Sequence, residues 1–174
     1  MKSKLVLPSE RRDHIRGSID APLALVEYGD YECPYCGEAE SIVQAVRKAL
    51  GDRLCFAFRN FPLVDRHPHA EHAAEAAEAA GAQHHFWEMH DMLFARQDSL
   101  EDEDLRRYAS TLGLDADRLM RDVLSGAHAE RLDEDLQSGV RNGVNGTPSF
   151  FVNGIPFENE LNSKSLLAAL AKGS

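Results

Sequence analysis

The tetrapeptide Cys33-Pro34-Tyr35-Cys36 constrains this chain more than any other feature, because of what flanks it. Leu23 to Tyr28 is a short apolar run that predicts a strand. Glu38 to Leu50 carries Ile42, Val43, Val46 and Leu50 at helical spacing, with Gly51 to stop the helix. Residues i and i+3 in the first turn of a helix share a face, so a disulfide between them closes with little backbone movement. Proline suits the first helical position, where its missing N–H would have had no partner. Cys33 then stands where free N–H groups and the positive end of the helix dipole favour an anion, so it is expected to be the nucleophile. Cys36, one turn inside, is expected to be the more buried, resolving thiol. The competing reading is a zinc site built from these cysteines and a histidine. Against it, the only other cysteine is Cys55 and there is no second C-x-x-C. A purely structural disulfide would close too small a loop to constrain the unfolded chain.

The chain has 174 residues, enough for one domain with a sizeable core, or one domain with a large insertion. Its formal net charge of −10 argues against nucleic acid and anionic membranes as partners. Three cysteines, one of them odd, are not a secreted disulfide framework. No stretch approaches the roughly 20 apolar residues of a membrane span. The first residues lack the apolar run of about 7–15 that an export signal needs, so a cytoplasmic location is expected, unless such a signal has been trimmed away.

Along the chain, Leu5 to Leu7 predicts a short edge strand ended by Pro8, and Ser9 to Ile19 an irregular polar segment with His14 on the surface. Glu27 is a carboxylate near the end of an apolar run. It is either a strand-end residue turned to solvent or a buried acid beneath the cysteines, able to relay protons. Arg53 to Phe58 predicts a buried strand, with Cys55 an inert core thiol and Arg59 exposed at its end. Asn60 to Pro68 is a loop. From Ala70 the periodicity turns helical: Ala70 to Ala80, interrupted by Gly81; His85 to Phe94; a helix opened by Asp98-Ser99-Leu100-Glu101; one capped by Asp115, with Leu119, Met120, Val123 and Leu124 on one side; and Ala127 to Val140, striped by Leu132, Leu136 and Val140. His67, His69 and His72 form an H-x-H-x-x-H run broken by Pro68, with His84, His85 and His90 nearby. They are read as helix-start and surface residues rather than as metal ligands. Gly146 to Phe157 predicts a hairpin, with Pro148 opening a strand and Asn153-Gly154 as its turn. Asn162-Ser163 caps a last helix through Leu166, Leu167 and Leu170.

Glu27 to Cys36, taken with Gly146-Thr147-Pro148, resembles the DsbA-like thiol-disulfide oxidoreductases. Phe61-Pro62-Leu63, His67-Pro68-His69-Ala70 and Phe86-Trp87-Glu88-Met89-His90 look like a bacterial branch of that family, and the likeness runs from Asp13 to Leu170. The resemblance implies an α/β thioredoxin-like fold with an inserted all-helical subdomain: residues 1–68 and 141–174 as the discontinuous thioredoxin-like part, 69–140 as the insertion. It makes Cys33 the nucleophile, Cys36 the resolving cysteine and Glu27 the buried acid. Pro148 becomes the cis-proline facing the pair, and Pro34, Tyr35, Thr147 and Pro148 the substrate-contacting surface. One departure is the dipeptide between the cysteines. It is Pro-Tyr, as in glutaredoxins, instead of the Pro-His of strongly oxidising periplasmic enzymes.

The expected activity is thiol-disulfide exchange through Cys33 and Cys36, in a direction that the sequence leaves open, with no metal or organic cofactor. The expected partners are protein or small-molecule thiols and disulfides and a redox recycling partner, with no nucleic acid and no membrane. Two other classes compete: a redox-switched, client-binding or chaperone-like protein whose cysteines act only as a switch, and a metal-binding protein using the cysteines and histidines.

Overall fold

The computed structural model describes residues 5–173. Its centre is a five-stranded sheet. Strand β1 is His14–Arg16, β2 is Leu23–Gly29, β3 is Leu54–Asn60, β4 is Ser149–Val152 and β5 is Ile155–Pro156, in the order β1-β3-β2-β4-β5. β2 runs parallel to β3 and antiparallel to β4, and the two edges are antiparallel additions. The parallel β2–β3 pair needs a crossover, which helix α1 (Pro34–Leu50) supplies. Helices α2 (Ala70–Ala82), α3 (Phe86–Ala95), α4 (Asp102–Thr111), α5 (Ala116–Ser125) and α6 (Ala129–Arg141) all lie between β3 and β4, and α7 (Ser163–Ala171) follows the hairpin.

Alternation along β2 sorts the core onto two faces. Leu23 and Leu25 face a large cluster that includes Val43 and Val46 of α1, Leu166 and Leu170 of α7, and the alanine-rich α2. Val26 and Tyr28 face a smaller cluster with Ala57, Phe61, Val144 and Phe151. Period-two alternation therefore puts Glu27 on the face that packs against α1. The helix caps follow the side-chain chemistry expected of them. Asp115 accepts a hydrogen bond from the Arg118 N–H, Asn162 accepts one from Ser165, and Gly51 takes a positive φ after α1. The Asn153-Gly154 turn has positive φ at both residues, as such a turn requires. No helix among the described residues is long and apolar enough to cross a membrane.

Several local expectations are corrected. The segment 9–19 is not irregular throughout: it holds β1, His14-Ile15-Arg16, which pairs with β3 and is too short to carry a periodicity that would announce it. His14 is not a plain surface residue. Its ring stacks on Phe86 at 3.7 Å, and its Nε2 lies 2.9 Å from Glu78. Arg59 is buried at 4% exposure, and its partners are Asp13, the Leu7 carbonyl and the Tyr28 hydroxyl. The 5–7 segment makes a single bridge, Val6 to Gly154, where an edge strand was expected. α2 continues through Gly81, and α4 starts at Asp102 with Glu101 as its cap. Leu124 and Val140 are exposed, because each sits just beyond its helix's buried stripe. His90, expected near the surface, is fully buried among aromatic rings.

Candidate active site

Cys33 occupies the N-cap of α1 in an extended conformation, with Pro34 opening the helix. This placement follows from the sequence: proline cannot continue a strand ladder but fits the first helical turn. The Cys33 carbonyl accepts the Cys36 and Gly37 N–H groups. The Sγ atom of Cys33 lies 3.7 Å from the Thr147 carbonyl oxygen. The Thr147–Pro148 peptide is cis. Pro34 and Tyr35 are exposed on the same turn, Tyr35 at 69%. Thus Cys33, Pro34, Tyr35, Thr147 and Pro148 share one region, with Cys36 buried behind Cys33, although Thr147 and Pro148 come from the far end of the chain.

The two thiols differ sharply. Both are free and buried as residues, Cys33 at 4% exposure and Cys36 at 0%. The Cys33 thiol is lowered to about 5, first by a hydrogen bond from the Cys36 thiol, against the opposing effect of burial, with the Thr147 side chain and the Cys36 and Tyr35 backbone groups adding to it. The Cys36 thiol is pushed far up, because donating to Cys33 requires its proton, and burial and the nearby Glu27 disfavour a second anion. Cys36 Sγ also takes a long contact, 3.5 Å, from the Asp30 N–H. Cys55, on β3, is raised to about 11 by burial and lies in the sheet, apart from the pair.

Glu27 is 1% exposed, and neither of its carboxylate oxygens has a hydrogen-bond partner. Burial raises its carboxyl well above the ordinary value, and the negative charges of Glu40 and Cys33 push the same way. The solvent-facing reading of Glu27 is therefore excluded. Burial of this kind makes Glu27 hold its proton more tightly than an exposed carboxyl does.

Three residues that sequence reasoning passed over hold this region in place. The Gln97 side-chain amide, from the α3–α4 connection, donates to the Tyr31 and Cys33 carbonyls at 2.8 Å each. Gly37 makes room for it: a Cβ there would lie 2.0 Å from Gln97 Oε1. Asp30, fully buried, accepts from the Glu32 N–H, the Leu63 N–H and His67 Nδ1, tying the strand end to the 61–69 loop. Glu40 lies one turn beyond Cys36 on the same helix face, a spacing that could have flagged it. Gln97 had no such signal, because its neighbours are more than sixty positions away.

The histidine run disperses. His67 pairs with Asp30, His72 with Asp102, and the His69 N–H binds Glu32. Among the described residues, the cysteine pair belongs to no cluster of three or more metal-ligating side chains.

A family model described as thioredoxin matches residues 9–172. BdbD from Bacillus subtilis, in its oxidised form, superposes with a TM-score of 0.87 at 24% identity, covering 98% of this chain and 97% of that one. A thioredoxin-like oxidoreductase from Silicibacter pomeroyi DSS-3 gives 0.82 at 26% identity, covering 92% and 91%. The thiol-disulfide exchange protein alpha-DsbA2 from Wolbachia pipientis gives 0.81 at 17%, covering 93% and 87%. Curated relatives by sequence include a Na(+)/H(+) antiporter NhaA 1 of Salinispora arenicola, 48% identical over 161 residues, covering 91% of this chain and 24% of that protein. Another, also Na(+)/H(+) antiporter NhaA 1, from Mycobacterium sp. (strain KMS), is 46% identical over 172 residues, covering 97% of this chain and 28% of that protein. This chain spans about a quarter of the length of those relatives. A family match over almost the whole chain, with a sheet and helices that superpose on these oxidoreductases end to end, makes this chain a member of the thioredoxin family with a DsbA-like fold.

Proposed function

We propose that this chain is a protein thiol-disulfide oxidoreductase working through Cys33 and Cys36. The observation that carries the reading is the division of labour between the thiols: Cys33 is held as a thiolate chiefly by the hydrogen bond from Cys36, while Cys36 stays protonated and sealed beneath it. The Cys33 thiolate attacks one sulfur of a substrate disulfide. A Cys33–substrate disulfide forms and the other substrate sulfur leaves as a thiolate. Cys36 then loses its proton, with Glu27 as the buried group placed to take it, and attacks Cys33 Sγ. The second substrate thiolate leaves and the Cys33–Cys36 disulfide remains. Each step is reversible, so the oxidised form accepts two electrons from a substrate dithiol by the same path in reverse.

An extended substrate segment would lie along Thr147–Pro148, next to Pro34 and Tyr35. A groove of about 390 Å³ lined by Pro148, Phe150, Phe157 and Leu161, among others, gives it somewhere to rest its side chains. A stabilised thiolate favours the reduced protein, which tilts the pair toward giving its disulfide away.

Trapping tests the assignment. Cys36→Ser, offered a mixture of protein thiols and disulfides, should accumulate covalent complexes through Cys33 that a reductant releases. Cys33→Ser should form none and should lose exchange activity. Exchange retained by Cys33→Ser would overturn the proposal.

A further inference from the structure

The middle of α1 meets α3 in a polar cluster that disulfide exchange does not use. Glu40 of α1 and His90 and Asp91 of α3 each bring a potential ligand atom within 4.8 Å of the other two. His90 is completely buried, Glu40 nearly so, and the Asp91 side chain is 44% exposed. Their six polar atoms fall into two sets. The outer three are held. Gln44 Nε2 donates to Glu40 Oε1 at 3.1 Å, the Tyr31 hydroxyl lies 3.0 Å from His90 Nδ1, and Arg16 pairs with Asp91 Oδ2. The inner three, Glu40 Oε2, His90 Nε2 and Asp91 Oδ1, are buried and have no hydrogen-bond partner.

Leaving two carboxylate oxygens and an imidazole nitrogen buried without a hydrogen bond, two of them held only by a long ion pair, is costly, and their convergence on one point is what a cation needs. His90 Nε2 and Glu40 Oε2 face each other across 3.5 Å. Two ligands on a tetrahedral zinc, with bonds of about 2.0–2.1 Å, lie about 3.4 Å apart. We infer that Glu40, His90 and Asp91 form a binding site for a zinc-type divalent cation that bridges α1 and α3, with its fourth position open on the exposed Asp91 side.

The outer contacts then have a purpose. Gln44, Tyr31 and Arg16 orient the ligands, as the groups behind metal-bound histidines and carboxylates do. One imidazole and two carboxylates suit a first-row transition ion. Calcium, which takes six to eight oxygens, finds too few here. Arg16 pairs with one carboxylate, and Arg47 feels both. The cluster is therefore already charge-balanced, which weakens its hold on a further cation. Glu40 sits one turn beyond Cys36, so the ion braces the active-site helix against α3 without touching either thiol.

The oxidised protein provides the test, because its Cys33–Cys36 disulfide offers zinc no thiolate. Competition against a chromophoric chelator should show one zinc per chain and a matching rise in the thermal midpoint. Glu40→Gln and Asp91→Asn should each weaken zinc by at least ~10-fold, while keeping wild-type circular dichroism without metal. His69→Ala should bind as wild type does. Three results would overturn the inference: no uptake at micromolar zinc, equal affinity in the wild type and both carboxamide variants, or calcium binding as tightly as zinc.

Discussion

The Cys36 thiol is the largest single influence holding the Cys33 thiol down at about 5, so Cys36→Ala is the most informative perturbation of the pair. It removes one S–H donor. It keeps the backbone N–H groups of the first helical turn and the Thr147 side chain beside Cys33. A hydrogen bond to a charged group is worth about 1.5–3 kcal/mol. One pKa unit corresponds to about 1.36 kcal/mol, so Cys33 should rise by about 1–2 units, to about 6–7. The assay is the pH dependence of Cys33 alkylation by iodoacetamide, followed by mass spectrometry. Cys55, raised to about 11, stays protonated over the range that matters. Near pH 6 the wild type is mostly thiolate and the variant is not, so alkylation of the variant should be several-fold slower, the rates converging above about pH 8. The same shift has a stability consequence with a definite sign. A depressed Cys33 stabilises the reduced fold fully above the unfolded thiol's pKa of about 8.5, and that contribution is lost as pH falls through about 5. In Cys36→Ala the lower edge of the window moves up with the Cys33 pKa. A midpoint shift below about 0.3 units would refute the reasoning and assign the thiolate to the helix N-terminus alone.

Glu27 gives a pH signature of opposite sign. Its carboxyl is raised by burial, so above about pH 4 the unfolded chain ionises first and the folded state is penalised. Glu27→Gln should raise the urea midpoint at neutral pH, with the gain vanishing toward about pH 4, and should slow disulfide exchange; a variant no more stable at neutral pH than the wild type would contradict the buried-acid assignment. Gln97→Ala should cost about 1–3 kcal/mol of stability for its two lost carbonyl contacts. Gly37→Ala, which drives a Cβ into Gln97, should not add to it in the double variant; full additivity in urea unfolding would show that the two do not act through one contact.

How far the chain could be read before folding depended on the reach of each signal. The C-P-Y-C turn, the helix stripes of α1 and α7, the Asn153-Gly154 turn and the Asp115 and Asn162 caps all rest on spacings of a few residues, and the structure shows each of them. Glu27 was half legible: the sequence left it between a solvent-facing strand end and a buried acid, and only the packed core shows it buried with no partner for its carboxylate. Arg59 was misread because its partner Asp13 lies 46 positions away on a segment without periodicity.

The sequence alone therefore determined the place of the cysteine pair, the helix that presents it and the α/β order around it, because helix periodicity, proline geometry and turn chemistry act locally. Only the tertiary structure decided what surrounds that pair. Thr147–Pro148 comes to Cys33 across 114 positions, Gln97 across 64, and His90 reaches the Tyr31 hydroxyl across 59. No local rule encodes such meetings. They follow from how β4 adds to β2 and how α3 packs on α1, which set the charges, donors and buried acids that each thiol experiences.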